Sequence, residues 1–250
     1  IEFTGHKINT VEPENGKLSI EQIEYNVSIH EDEHMVKPKL VFLSNSTELG
    51  TIYSKKELID ISEFCKKNNL LLYLDGARLG SALTAAQNNL SLAEISQLVD
   101  FYYIGGTKNG ALLGEAIVIN NANYRDFFRY HLKQKGALLA KSRIFGIQFK
   151  RLFEDNLFFK LASHANQMAS KMADGLKRSG YRFMQQPMTN QLFPILPNSV
   201  INSLLKRYEF YIWNKIDSNH SAIRLATSWA TIEDQVNRFI ELMRTQAGTD

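Results

Sequence analysis

The sequence predicts an α/β fold with a mostly parallel sheet in a large domain, followed by a smaller α+β C-terminal domain. Short apolar runs alternate with amphipathic helical stretches through the first half of the chain, as in consecutive strand-helix units. Leu70-Leu71-Leu72-Tyr73-Leu74 is apolar throughout, as a strand buried on both faces reads. Beyond residue 150 the alternation gives way to a long periodic stretch, Leu157 to Ser179, and then to short strand-like runs mixed with helices. The expected boundary lies there, with residues 1–150 as the ligand-binding large domain and 151–250 as the small one.

Each element has a local reason. Ser19 is placed to cap a helix, with Gln22 completing a capping box and Pro13 to Gly16 supplying the turn before it. Lys39 to Leu43 reads as a strand, and Ser44 to Thr51 as turn chemistry. Ser54 caps a helix running to about Asn68. The strand ending at Asp75, a helix near Leu90 to Leu98 and the strand Phe101 to Ile104 follow. Ala116 to Ile119 is one further strand, after which helix is expected through Tyr124 to His131 and through Lys141 to Phe153. Gly180 stops the long helix as a C-cap. In the last part, Tyr181 to Met184, Phe210 to Asn214 and Ala222 to Ala226 read as strands, and Ser199 to Tyr208 and Thr231 to Arg244 as helices.

At 250 residues and 44% hydrophobic content, the chain is long enough to bury a sizeable core. Its 29 basic residues are interleaved with 26 acidic ones, for a net charge of +3, which argues against a nucleic-acid partner. No apolar run approaches the ~20 residues a membrane helix needs. With no basic-then-apolar export signal at the start, a cytoplasmic protein with no membrane partner is expected. The single Cys65 sits in the amphipathic stretch Glu57 to Cys65, which predicts a core thiol and no intramolecular disulfide. The chain begins at Ile1 without a methionine, in what reads as a loop-to-strand connection, so a start inside a longer protein is expected.

Lys108, in Tyr103-Ile104-Gly105-Gly106-Thr107-Lys108-Asn109-Gly110, stands just past an apolar strand and is hemmed in by glycines. Upstream, Asp75-Gly76-Ala77-Arg78 leaves the preceding strand at its C-terminal end, where open α/β sheets place ligands. One crevice then holds an amine and a carboxylate. Pyridoxal 5'-phosphate chemistry asks for these groups: a lysine for the Schiff base, a carboxylate on the pyridine nitrogen, and a cation for the substrate carboxylate. A lysine partly withdrawn from water favours its neutral, nucleophilic form. Arg78 and Arg224 each carry the planar fork that grips a carboxylate bidentately.

Three blocks, Asp75-Gly76-Ala77-Arg78-Leu79, Gly105-Gly106-Thr107-Lys108-Asn109-Gly110 and Ile223-Arg224-Leu225-Ala226-Thr227-Ser228-Trp229, resemble motifs of the low-specificity threonine aldolase and β-eliminating lyase family. Gly5-His6-Lys7-Ile8 and Ser46-Thr47-Glu48-Leu49-Gly50-Thr51 extend the resemblance over nearly the whole chain. It implies a fold-type-I pyridoxal phosphate enzyme, a homo-oligomer (dimer or tetramer), cleaving β-hydroxy-α-amino acids such as threonine to glycine and an aldehyde. Carried over by position, Lys108 resembles the Schiff-base lysine and Asp75 the pyridine partner. Arg78 and Thr107 join them as cofactor contacts, and Arg78 and Arg224 resemble the pair holding the substrate carboxylate. The family's glycine- and threonine-rich N-terminal portion has no counterpart in these 250 residues.

The same cofactor serves β-elimination or transamination as competing readings, and a catalytically silent, truncated subunit is a third. No metal is expected. His30-Glu31-Asp32-Glu33-His34 formally fits an inverted zincin pattern, but it is an acidic, polar link leading to Pro38 and not a helix that would aim two imidazoles. The glycines around Lys108 also lack the spacing of a phosphate loop.

Overall fold

The computed structural model describes residues 5–246; the first four residues of the expected loop-to-strand start, Ile1 to Thr4, lie outside the described residues. In chain order the elements are α1 (Ile20–Ser28), β1 (Leu40–Ser44), α2 (Lys55–Lys67), β2 (Leu71–Asp75), α3 (Leu79–Leu83), α4 (Leu92–Leu98), β3 (Phe101–Gly105) and β4 (Glu115–Ile119). There follow α5 (Phe128–Gln134), α6 (Arg143–Phe153), α7 (Leu157–Arg178), β5 (Arg182–Phe183), β6 (Gln191–Leu192), β7 (Pro194–Pro197), α8 (Asn198–Leu204), β8 (Tyr211–Lys215), β9 (His220–Ala226) and α9 (Glu233–Gln246).

Helix starts follow the capping logic. Ser19 and Gln22 form the reciprocal box at α1, Ser54 and Glu57 repeat it at α2, and Ser91 and Glu94 at α4. The first sheet runs β1-β2-β3-β4. Its first three strands are parallel, as expected. β4 returns antiparallel to β3, because the connection between them holds no crossover element long enough to bring a strand back parallel. The second sheet, β5-β7-β9-β6 with β8 beside β9, is antiparallel throughout. Three elements were not anticipated: α3, too short for a helical period to show, and β6 and β7, of two and four residues.

One face of the first sheet is buried. Val41, Leu43, Leu72, Leu74, Tyr102 and Ile104 pack with Leu58, Ile61 and Cys65 of α2 and Ile95 of α4. Cys65 is the core thiol its pattern predicted, and burial, helped by the nearby charge of Asp100, pushes it up to about 12. The opposite face is open: Phe42 stacks on Tyr73 and Tyr73 on Phe101, with centroids 5.3 and 6.2 Å apart, while Phe42 stays 53% and Ile117 46% exposed. A second core joins Leu176, Leu196, Val200, Leu204, Ile223, Phe239 and Met243. α7 runs from one core to the other, with Phe158 buried in the first and Leu176 in the second. No helix among the described residues is long and apolar enough to cross a membrane.

Phe158 is fully buried, stacked on Phe153 at 5.2 Å and edge-on to Phe159. Phe158→Ala is expected to lower stability by about 3–5 kcal/mol, seen as a fall in the urea midpoint, whereas Ile147→Ala, at a position 62% exposed, leaves the midpoint unchanged.

Candidate active site

The site is assembled by two loops that touch backbone to backbone. A Cβ on Gly76 would lie 1.8 Å from the Tyr103 carbonyl oxygen, and one on Gly105 would lie 2.4 Å from the Ala77 carbonyl oxygen. Only residues without a side chain permit that approach. Gly105 N then donates to Gly76 O at 2.9 Å, tying the turn after β2 to the end of β3. Lys108 follows in a 3₁₀ turn, Thr107–Asn109. Asn109 Nδ2 pins that turn to α7 by donating to Phe158 O at 2.9 Å.

Asp75 ends β2, level with Ser44 of β1. Its Oδ1 accepts from Tyr103 Oη at 2.6 Å and from Ala77 N at 2.9 Å, while Oδ2 accepts no hydrogen bond among the described residues. Burial and the Asp75 charge both raise the Tyr103 phenol far above its ordinary value, so Tyr103 remains a donor at any working pH. Lys108 makes no hydrogen bond or ion pair among the described residues. Partial desolvation first, then the positive charge of Arg78, pulls its amine below the usual lysine value, and Glu48 and Asp75 pull the other way. Arg78 is half-buried and also unpaired among the described residues; burial and the charge of Arg224 disfavour its protonated form, against support from Glu48 and Asp75.

Arg224, on β9, is held by a neutral group. Gln191 Oε1 accepts from its Nε at 3.1 Å and its Nη2 at 2.6 Å, and the Trp213 ring lies 5.8 Å from its Cζ. Gln191 Nε2 donates in turn to Thr47 O at 3.2 Å. Thr47 opens a tight turn closed by Gly50 N, with Gly50 at φ +75°, and Asn45, Ser46, Thr47 and Thr51 around it are buried. Glu48 is the exposed residue at that turn's tip.

The fold thus gathers Asp75, Arg78, Lys108 and Arg224 into one electrostatically coupled group. Thr107 is beside it, and its hydroxyl donates to Glu115 Oε1 at 2.7 Å, which leaves the oxygen's acceptor capacity. Glu48, Tyr103 and Gln191 were not singled out from the sequence. Period-two alternation alone puts Tyr103 and Asp75 on the same side of adjacent strands, a usable signal; nothing local marks Gln191. The His30 to His34 stretch follows α1 as turns, and His30 Nδ1 takes the Asn26 carbonyl at 2.7 Å. A cavity of about 520 Å³ bounded by Glu14, Lys17, Glu57 and Gln185 contains none of the four gathered residues.

The residues fit pyridoxal phosphate. Asp75 keeps an open carboxylate oxygen for a protonated ring nitrogen, Lys108 offers an amine unpaired among the described residues, and neither Arg78 nor Arg224 forms an ion pair among them. Ser46 Oγ, buried just beyond β1, has no partner among the described residues and leaves a spare hydroxyl nearby. Sheet, loops and donors together define the class: a fold-type-I, pyridoxal-phosphate-dependent enzyme. A NifS-like protein, 19% identical, shares this fold with a TM-score of 0.67 over 99% of this chain and 70% of its own. Residues 1–198 match the family model described as β-eliminating lyase, and the chain belongs to that family. It is similar to the low-specificity L-threonine aldolase of Pseudomonas aeruginosa, at 33% identity over 98% of this chain and 70% of that protein. The solved threonine aldolase of Leishmania major is 46% identical, with a TM-score of 0.96 over 98% of this chain and 72% of its own.

A lowered amine is neutral, and so reactive, at lower pH. In cofactor-free protein at pH 8 to 9, Lys108 is expected to take up an amine-directed acylating label faster than Lys56, whose pKa Asp60 raises, as read by peptide mass mapping. Glu48→Gln removes a charge that favours the ammonium and speeds labelling of Lys108 further.

Proposed function

We propose that this chain is a pyridoxal-phosphate-dependent carbon-carbon lyase that cleaves threonine or a related β-hydroxy-α-amino acid to glycine and an aldehyde. The observation that carries the reading is the meeting of Asp75 and Lys108 on touching loops, in a chain 46% identical to a threonine aldolase. Lys108 would hold the cofactor through its amine, and Asp75 through the open Oδ2. When bound, that cofactor supplies an aldehyde for amines and a ring that withdraws electrons from the substrate's α-carbon.

The protein's own part is orientation and proton handling. Arg78 and Arg224 bind the substrate carboxylate, which answers the excess of positive charge they create for each other. A carboxylate fixed at one end leaves rotation about one axis, and holding it sets which bond at the α-carbon is cleaved. The lowered basicity of Lys108 makes its ammonium a readier proton donor, so its Nζ returns a proton to the α-carbon as glycine forms. Asp75 is held in orientation by the hydrogen bonds its Oδ1 accepts from Tyr103 Oη and Ala77 N.

In this reading residues 1–150 form the cofactor-holding domain and 151–250 the small domain that brings Arg224. The enzyme works in the cytoplasm as a dimer or tetramer. The buried, unbridged Cys65 supports the compartment, and the open apolar sheet face at Phe42 and Ile117 supports association.

Purified protein supplied with pyridoxal phosphate is expected to release acetaldehyde and glycine from threonine, followed by a coupled aldehyde assay. Lys108→Ala should lower the rate on the order of 10²–10⁴-fold, and Asp75→Asn about ten- to hundredfold. Undiminished turnover in both variants would remove the assignment.

A further inference from the structure

We infer that Gln191 is a positioning residue, a buried amide strut that fixes the Arg224 guanidinium against the Thr47–Gly50 turn and thereby sets the edge from which an amino-acid carboxylate is gripped. The inference rests on the proposed reading of Arg224 as a carboxylate-binding group.

Gln191 lies opposite Ala226 in the β6–β9 pair, so Arg224 is its diagonal neighbour, within reach of a long side chain. The residue is only 1% exposed, so an unpaired amide there would be costly. Both ends of the amide are used. Oε1 accepts from Nε and Nη2 of Arg224, and Nε2 donates to Thr47 O. A guanidinium presents five N–H donors in a rigid plane. Gln191 fills the edge made by Nε and one N–H of Nη2, and the Trp213 ring stands against the guanidinium. Among the described residues, the edge left free is the end formed by Nη1 and the remaining N–H of Nη2, and a carboxylate approaches there.

A glutamine suits this task where a glutamate would not. It aligns the cation without neutralising it, which keeps the positive charge for the ligand. Its neighbours hold the strut in place. Thr189 Oγ1 donates to Gly50 O at 2.8 Å, Asn190 Nδ2 to Thr227 O at 2.7 Å, and Thr227 Oγ1 to Ala165 O of α7 at 2.7 Å. Residues 189 to 191 therefore cross-link the turn after β1 to the end of β9. The carboxylate-binding arginine is registered to the loop of the first sheet, not to its own strand alone.

The test uses the cofactor-loaded full chain and measures equilibrium binding of glycine and of glycinamide, which lacks the carboxylate, by calorimetry. Gln191→Met is expected to weaken glycine binding about tenfold or more with cofactor content and glycinamide binding unchanged. Gln191→Glu, which keeps the volume and charges the amide, should also weaken glycine selectively. In an Arg224→Lys background, Gln191→Met should add less than about twofold, because the strut then has nothing to align. Equal losses for glycine and glycinamide, additive effects in the double variant, or unchanged glycine affinity would each overturn the inference and leave Gln191 a structural residue. Selective loss in a protein that releases no aldehyde from threonine keeps the strut and removes the aldolase reading; threonine cleavage with glycine affinity untouched by Gln191→Met does the reverse.

Discussion

The structure depends on the close approach of two loop backbones at Gly76 and Gly105. Any side chain at either position would occupy space already held by a carbonyl group, so the turn after β2 and the end of β3 would be forced apart. Their contact brings Asp75, at the end of β2, and Lys108, in the turn after β3, within each other's electrostatic reach. Asn109 then anchors the lysine turn to α7, the helix that also carries the chain from the first core to the second. The chemistry is thus positioned by backbone packing, which is more rigid than any single side-chain contact.

Charge is the second organising term. Burial and the charge of Arg224 disfavour the protonated form of Arg78, burial and the charge of Arg78 disfavour that of Lys108, and Glu48 and Asp75 oppose both. Such an arrangement is unfavourable in the free protein and favourable once an anion enters. It also separates the roles of the cations. The lysine is pushed toward its neutral form, as a nucleophile and proton carrier needs, while a guanidinium has far higher intrinsic basicity and suits carboxylate binding.

Legibility differed sharply between parts of the chain. Ser19, Ser54 and the apolar run into Asp75 marked their elements because caps and periodicity are local. α3 escaped because five residues do not establish a period, and β6 and β7 because strands so short depend on what they pair with. The antiparallel return of β4 followed from the lack of a crossover, which a strand-by-strand reading does not weigh. The bond from the Thr107 hydroxyl to Glu115, across the β3–β4 hairpin, depends on that pairing and is not written in the residues next to Lys108.

By itself the sequence determined the capped and periodic elements, the single core thiol and the chemical kinds at the site: an amine, a carboxylate and two guanidinium groups at the ends of recognisable runs. Tertiary structure alone decided which of them meet, that Tyr103 holds Asp75, and that Gln191, on the strand beside Arg224, ties it to Thr47 of the first sheet's loop. The physical reason is range. Caps, turns and periodicity act over a few residues and are written in neighbouring letters, whereas the Gln191 bond to Thr47 joins residues 144 positions apart and exists only after both sheets have packed.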